Sequence, residues 1–390
     1  MMNEEMRPAA QVLICAPSLE QASTELAFAQ RALLRELHGH AVCFAAQDAG
    51  SGRQAFARTW QQLGQALPAQ SVVIFLAHGA VWPAPATLAA LCAWAAQHDG
   101  LGVAADARLP GLAPTPDYLT LRGLEGYAQR LSTAMAGSRP EVAQDFEPLL
   151  MAVRAEVLRR QPEILLHGNL TLVAGAFVHD FRGYHQGGRP EMLRWIPEDC
   201  RSLLDVGGGE GFFLAQAKQE RGCETHLAEF APQACAAAQV RVDRVWQGDF
   251  LQQNFARRFD CISFLDVLEH TTWPVEWLRK ARTLLNPGGA VLLSIPNVGH
   301  WSVVADLLAG RWDYTPAGIH CVTHVRFFTR TGILALVDEA GLQCEQVEAV
   351  VMPPPPWFAP ADVAGELRCD RDSLASYAYH VRARLPGAAG

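Results

Sequence analysis

Short apolar, β-branched runs alternate along the chain with longer stretches whose apolar positions recur every three or four residues. Residues 12–16, 41–46, 72–76 and 101–105 read as strands, and residues 19–37, 54–67 and 85–97 between them carry helical spacing. Residues 106–140 are less regular, and residues 148–160 again predict a helix. Between residues 165 and 197 the pattern loosens into sequence containing His, Gly, Arg and Pro. We read it as a joint plus the lead-in helix of a second domain. A second series begins at Ser202, with strands at 203–206, 225–229, 244–246, 261–265 and 290–294 and helices between them. Two later strands, 344–352 and 376–385, flank Pro353 to Pro356, a stiff extended connector. Such alternation predicts an α/β protein built on mainly parallel sheets with helices on their faces.

Composition narrows this picture. The chain has 390 residues, more than one ordinary domain holds, so we expect two domains, residues 1–165 and 166–390. Half the residues are apolar and 18% are charged, which excludes a disordered chain. The net charge is -8 with no block of Lys or Arg, which argues against a nucleic-acid surface or a polybasic membrane patch. Lysine occurs only at Lys218 and Lys280, which removes most chemistry that needs a lysine nucleophile, and no phosphate-binding P-loop motif is present. The 10 cysteines form no C-x-x-C pair, and the first residues are acidic rather than basic. Both features predict reduced thiols and a cytoplasmic protein. Residues 71–97 lack Asp, Glu, Lys and Arg and are long enough to span a bilayer. His78, Gly79, Pro83 and Pro85 break them into a strand and a helix, so no membrane span is expected.

The sharpest chemical feature is Leu203-Leu204-Asp205-Val206-Gly207-Gly208-Gly209-Glu210-Gly211-Phe212, a strand running through a glycine-dense turn into a helix. Glycines there permit positive φ and let a ligand approach the backbone. The spacing is G-x-G-x-G, not the G-x-G-x-x-G of a dinucleotide site. Glu229, about 20 residues on, ends the next strand where a carboxylate can accept both ribose hydroxyls. Asp249 and Phe250 follow the third strand, suited to an adenine amino group and ring. Acids at successive strand ends point to one nucleoside ligand at the carboxyl edge of the sheet.

With these residues in view, residues 182–353 resemble a class I S-adenosylmethionine-dependent methyltransferase of the type 23 branch. The resemblance rests on the glycine loop and on Asp260-Cys-Ile-Ser-Phe-Leu-Asp266-Val-Leu-Glu269-His270. Asn286-Pro287-Gly288-Gly289, Ser294-Ile-Pro-Asn297-Val-Gly-His300 and Thr323-His324-Val-Arg326-Phe-Phe-Thr329 complete it. It implies a Rossmann-like seven-stranded sheet whose last strand is antiparallel. It also implies S-adenosyl-L-methionine as cofactor, held by Asp205, Gly207, Gly209, Gly211, Glu229, Asp249, Phe250 and Asp266. Gly208 stands where the family commonly has Cys, a position needing no side chain.

Methyl transfer from a sulfonium is an in-line displacement, so the protein must align the acceptor and remove a proton if that acceptor is a hydroxyl. His300 and His324 are the candidate bases, with hydrogen-bonded anchoring as the structural alternative. His320 and Cys321 depart from the family pattern, which bears on the acceptor. Helical spacing would put Asp266, Glu269 and His270 on one face. A similar acidic segment binds a divalent cation in the related ubiquinone-pathway O-methyltransferases. We expect no metal here, with Asp266 lining the pocket and its neighbours fixing the loop. Trp301, Trp312, Tyr314, Phe327 and Phe328 suit an apolar lid or a platform for a sugar ring. The expected acceptor is a saccharide or glycoconjugate precursor, a quinone-like or aromatic hydroxyl being the alternative, and a non-catalytic binding module the third reading.

Residues 11–160 loosely resemble the nucleotide-sugar half of family-2 glycosyltransferases, a fold of GT-A type. Where active members carry metal-binding aspartates, this chain has Ala77-His78-Gly79. Without hard oxygen ligands a divalent ion has no site there, so the domain is expected to be a degenerate shell.

Overall fold

The computed structural model describes residues 10–14, 41–44, 52–63, 67–68, 70–77, 81–84, 86–109, 119–135, 141–142, 146–180, 188–358 and 370–386. The expected helix at 19–37 lies outside them, as do His78 and Gly79. Its contacts cluster into two compact units, Met1–Arg182 with Asp313–Ala317, and Gly183–Trp312 with Gly318–Gly390.

The first unit is built on a mixed sheet of eight strands: β1 Ala10–Ile14, β2 Ala41–Phe44, β3 Val72–Leu76, β4 Val81–Pro83, β5 Leu101–Ala105, β6 Glu141–Val142, β7 Leu150–Arg154 and β8 Leu170–Asp180. Their order is β2-β1-β3-β7-β5-β8-β4, with β6 also on β8. β1, β2 and β3 are parallel, and β7 runs antiparallel between β3 and β5. Every residue of β3 is buried, and alternate side chains serve opposite cores. Val73 and Phe75 join Phe56, Tyr127 and Phe177, whereas Val72 and Ile74 pack with Leu91. The charge-free stretch at 71–97 is thus β3, β4 and the helix Thr87–Gln97. Among the described residues no helix is long and apolar enough to cross a membrane.

Two expectations are corrected here. Residues 148–160 are not one helix, because Leu150–Arg154 fills the slot between β3 and β5 and only Ala155–Arg160 coils. The loose sequence after residue 165 is not simply a joint. It contains β8, which pairs in parallel with β5, so the contact boundary falls after Arg182. Within 106–140, a helix forms at Leu121–Ala134, opened by Thr120, whose hydroxyl accepts from the Gly123 N–H.

The second unit carries a seven-stranded sheet: β9 Ser202–Val206, β10 Glu224–Glu229, β11 Arg244–Gln247, β12 Phe259–Leu265, β13 Leu285–Pro296, β14 Gln343–Val351 and β15 Ser376–Arg384. The order is β11-β10-β9-β12-β13-β15-β14, and β15 is antiparallel to both its neighbours. The lead-in is a 3-10 turn, Pro190–Trp195, rather than an α-helix. Alternation again divides two cores: Leu203 and Cys261 pack with Trp195 and Phe213, while Leu204, Ile262 and Phe264 pack with Phe250 and Leu278. The chain winds one way from β9 to β11, then returns to β12 on the other side. That reversal opens a crevice at the carboxyl ends of β9 and β12, where open α/β sheets bind ligands.

Candidate active site

The glycine loop lies at that crevice. Gly207, Gly209 and Gly211 all hold positive φ, at 73°, 56° and 78°. A Cβ at Gly207 would lie 2.8 Å from Val267 and one at Gly211 2.9 Å from Val242, so only glycine fits this turn. Gly208 does not have positive φ, yet a Cβ there would fall 2.1 Å from the Asp205 carboxylate. In this chain the acid takes the space that a side chain at 208 would need.

Asp205 lies beneath the loop, buried, with Oδ1 accepting from the Ser263 hydroxyl at 2.6 Å. Burial pushes its carboxyl up to about 7, opposed by the Ser263 hydrogen bond and reinforced by Glu229. An acid raised in the folded state stabilises the fold fully below its unfolded value of 3.8 and loses that contribution as pH rises through about 7. Asp205→Asn is therefore expected to flatten the decline in stability between pH 4 and pH 7, which urea titrations at successive pH values would read. An unchanged slope would show that other groups set it.

Glu229 arches back over the loop: Oε2 accepts from the Gly209 N–H at 3.0 Å and Oε1 from the Ala231 N–H at 2.8 Å. Asp249 is exposed beside it, at the end of β11, and caps a turn by accepting from the Leu251 N–H. Phe250 departs from expectation. Its ring is buried among Phe255, Phe264 and Trp277, with the Lys280 ammonium 5.2 Å away, so it belongs to the core rather than to an adenine wall.

The segment after β12 is not the expected helix. Asp266 takes φ 57°, and Leu268–His270 form a 3-10 turn. This separates the three groups that helical spacing would put on one face. Asp266 is ion-paired with Arg189 and accepts from the Ser294 hydroxyl at 2.7 Å. Glu269 is buried, and among the described residues its carboxylate accepts no hydrogen bond. Burial, and next the Asp266 charge, hold the Glu269 carboxyl well above the usual carboxylate range. Its main-chain carbonyl accepts from the Val325 and Arg326 N–H groups, tying the 323–329 segment to this turn.

His324, also buried, is fixed through Nδ1 by the Ile319 carbonyl at 3.0 Å, and Nε2 lies 4.0 Å from Glu269 Oε1. The carbonyl bond assigns the proton to Nδ1, which leaves the lone pair on Nε2. The His270 ring stands edge-on at 4.6 Å. Ligand atoms of Glu269, His270 and His324 lie within 4.8 Å of one another, a hard-and-borderline donor set that fits a divalent cation. No local spacing marks His324, rather than Asp266, as the third member of this group. His300 is occupied otherwise. It caps the helix Trp301–Leu308, with Nδ1 at 2.9 Å from the Ser302 hydroxyl and Nε2 at 3.0 Å from the Met352 carbonyl. Burial lowers it to about 4, and no lone pair is left to take a proton.

Residues 175–347 match a family described as a methyltransferase domain. A ubiquinone biosynthesis O-methyltransferase of Cereibacter sphaeroides is 26% identical over 42% of this chain and 68% of its own length. Its namesake from Xanthomonas axonopodis pv. citri is 29% identical over 39% and 66%. A crystal structure of an S-adenosylmethionine-dependent methyltransferase from Archaeoglobus fulgidus aligns at TM-score 0.39 and 16% identity, over 52% of this chain and 96% of that one.

Proposed function

Because the C-terminal half is a class I S-adenosylmethionine-dependent methyltransferase domain, we propose that it methylates a hydroxyl oxygen on a small molecule, with His324 taking the proton. The carrying observation is the buried Glu269–His324 pair at the crevice. When bound, S-adenosylmethionine supplies a methyl group already activated by its positive sulfur. The glycine loop, Glu229 and Asp249 hold the nucleoside, and Asp205 and Asp266 set the floor. His324 Nε2 accepts the hydroxyl proton, 4.0 Å from the buried Glu269 carboxyl. The names of the relatives support a small-molecule oxygen acceptor. A divalent ion on Glu269, His270 and His324 would take the Nε2 lone pair and polarise the same oxygen in place of His324 acting as base.

A glycan acceptor is the second reading. It is favoured by the Trp301 and Trp357 rings, 5.8 Å apart at near right angles, with Trp357 well exposed. A mixed α/β sheet ending in Ala77 at the tip of β3 supports a glycosyltransferase-like shell without its metal acids for the first unit. The free thiols of Cys200, Cys223, Cys235 and Cys261 support a reducing, cytoplasmic setting.

The test is methyl-labelled donor with 3,4-dihydroxybenzoate or UDP-glucose, with Mg²⁺ or with chelator, the label located by mass spectrometry. The expected product is a labelled methyl ether on the phenol, with kcat about 100-fold lower in His324→Gln. Label on the sugar favours the glycan reading, and loss of activity in chelator favours the metal. Transfer to neither probe, with tight donor binding, would leave a binding module.

A further inference from the structure

We propose that Asp266 is an internal stand-in for the carboxylate of the donor's methionyl group, held on Arg189 and exchanged for that carboxylate when the donor binds. Gly188 presses on the helix after the glycine loop, where a Cβ would come within 2.7 Å of Gln216, and Arg189 follows it. Its guanidinium reaches the tips of β12 and β13. It pairs with Asp266 through Nη1, donates to the Ser294 hydroxyl from Nη2 at 2.7 Å, and donates to Glu191 from Nε at 2.7 Å.

The backbone marks the same pair. Among the described residues three non-glycine residues have positive φ: Ala86, Arg189 at 50° and Asp266 at 57°. Such conformations persist where surrounding structure imposes them, and they concentrate at ligand clamps. Both ends of one ion pair carry the strain.

Charge supplies the ligand. Glu229 and Asp266 stand at the crevice with Asp205 and Glu269 buried behind them, and Arg189 is a cation acting on Asp205, Glu269 and the Tyr377 phenol. S-adenosylmethionine brings two positive groups, the sulfonium and the ammonium, which suit those acids, and one carboxylate, which does not. A guanidinium fork matches a carboxylate at two points. Exchanging one carboxylate for another keeps the half-buried guanidinium paired throughout.

The exchange rests on the cofactor reading of the crevice and is independent of the acceptor. Calorimetry would compare S-adenosylmethionine, decarboxylated S-adenosylmethionine and 5′-methylthioadenosine on the full chain, on Arg189→Met and on Asp266→Asn. Failure of all three to bind the unaltered chain would count against the cofactor reading itself. In Arg189→Met, affinity for S-adenosylmethionine is expected to fall about 10- to 100-fold, with the two probes lacking the carboxylate unchanged. Arg189→Lys, which keeps the charge without the fork, should lose less and with the same selectivity, and it serves if the Met variant does not fold. Asp266→Asn removes the carboxylate that is to be exchanged and leaves Glu191 on Nε. The preference for S-adenosylmethionine over its decarboxylated form should then rise about 10-fold. A loss in Arg189→Met shared by all three ligands, or none for S-adenosylmethionine, overturns the assignment, and so does an unchanged preference in Asp266→Asn.

Discussion

Glu229→Ala is expected to weaken S-adenosylmethionine and S-adenosylhomocysteine to the same extent, by about 100-fold or more. The carboxylate is fixed before any ligand arrives, by the N–H groups of Gly209 and Ala231. On the proposed reading it would meet a ribose diol without first being ordered. Each charge-assisted hydrogen bond lost costs about 1.5–3 kcal/mol, and two together reach the stated factor. Because the ribose is common to both ligands, calorimetry should show parallel losses. Glu229→Gln should recover part of the affinity, since its amide oxygen still accepts. Unchanged dissociation constants in the Ala variant would move the ribose elsewhere.

The second large effect is on stability. Phe250→Ala removes a ring that is 2% exposed and packed between Phe255, Phe264 and Trp277. Truncations of this kind cost about 3–5 kcal/mol, so the urea midpoint should fall sharply. Donor affinity of the folded variant should fall far less than its stability, because the ring packs in the core. A selective loss of donor binding with an unchanged midpoint would return Phe250 to the adenine.

The central strands β9, β12 and β13 were legible because each carries an apolar run closed by Gly, Asp or Pro, and the glycine loop because its spacing is local. What escaped was decided by distant partners. Residues 149–153 are apolar without interruption, which a buried strand and a buried helix share, and only pairing with β3 settles the matter. Phe250 follows a strand tip as an adenine wall would, but the Trp277 ring across the core turns it inward. Asp266, Glu269 and His270 have helical spacing, yet Arg189 draws Asp266 into a left-handed turn. Arg189 itself carries no local mark. Its role emerges from a partner 77 residues away.

The position of β15 also constrains how the second unit is made. It lies inside the sheet, between β13 and β14, although it is the last of the strands to leave the ribosome. Until residue 384 has emerged, β13 presents an open edge and β14 has no neighbour to pair with. The nascent sheet therefore waits with a gap in its interior, the interval in which an unpaired strand invites intermolecular association.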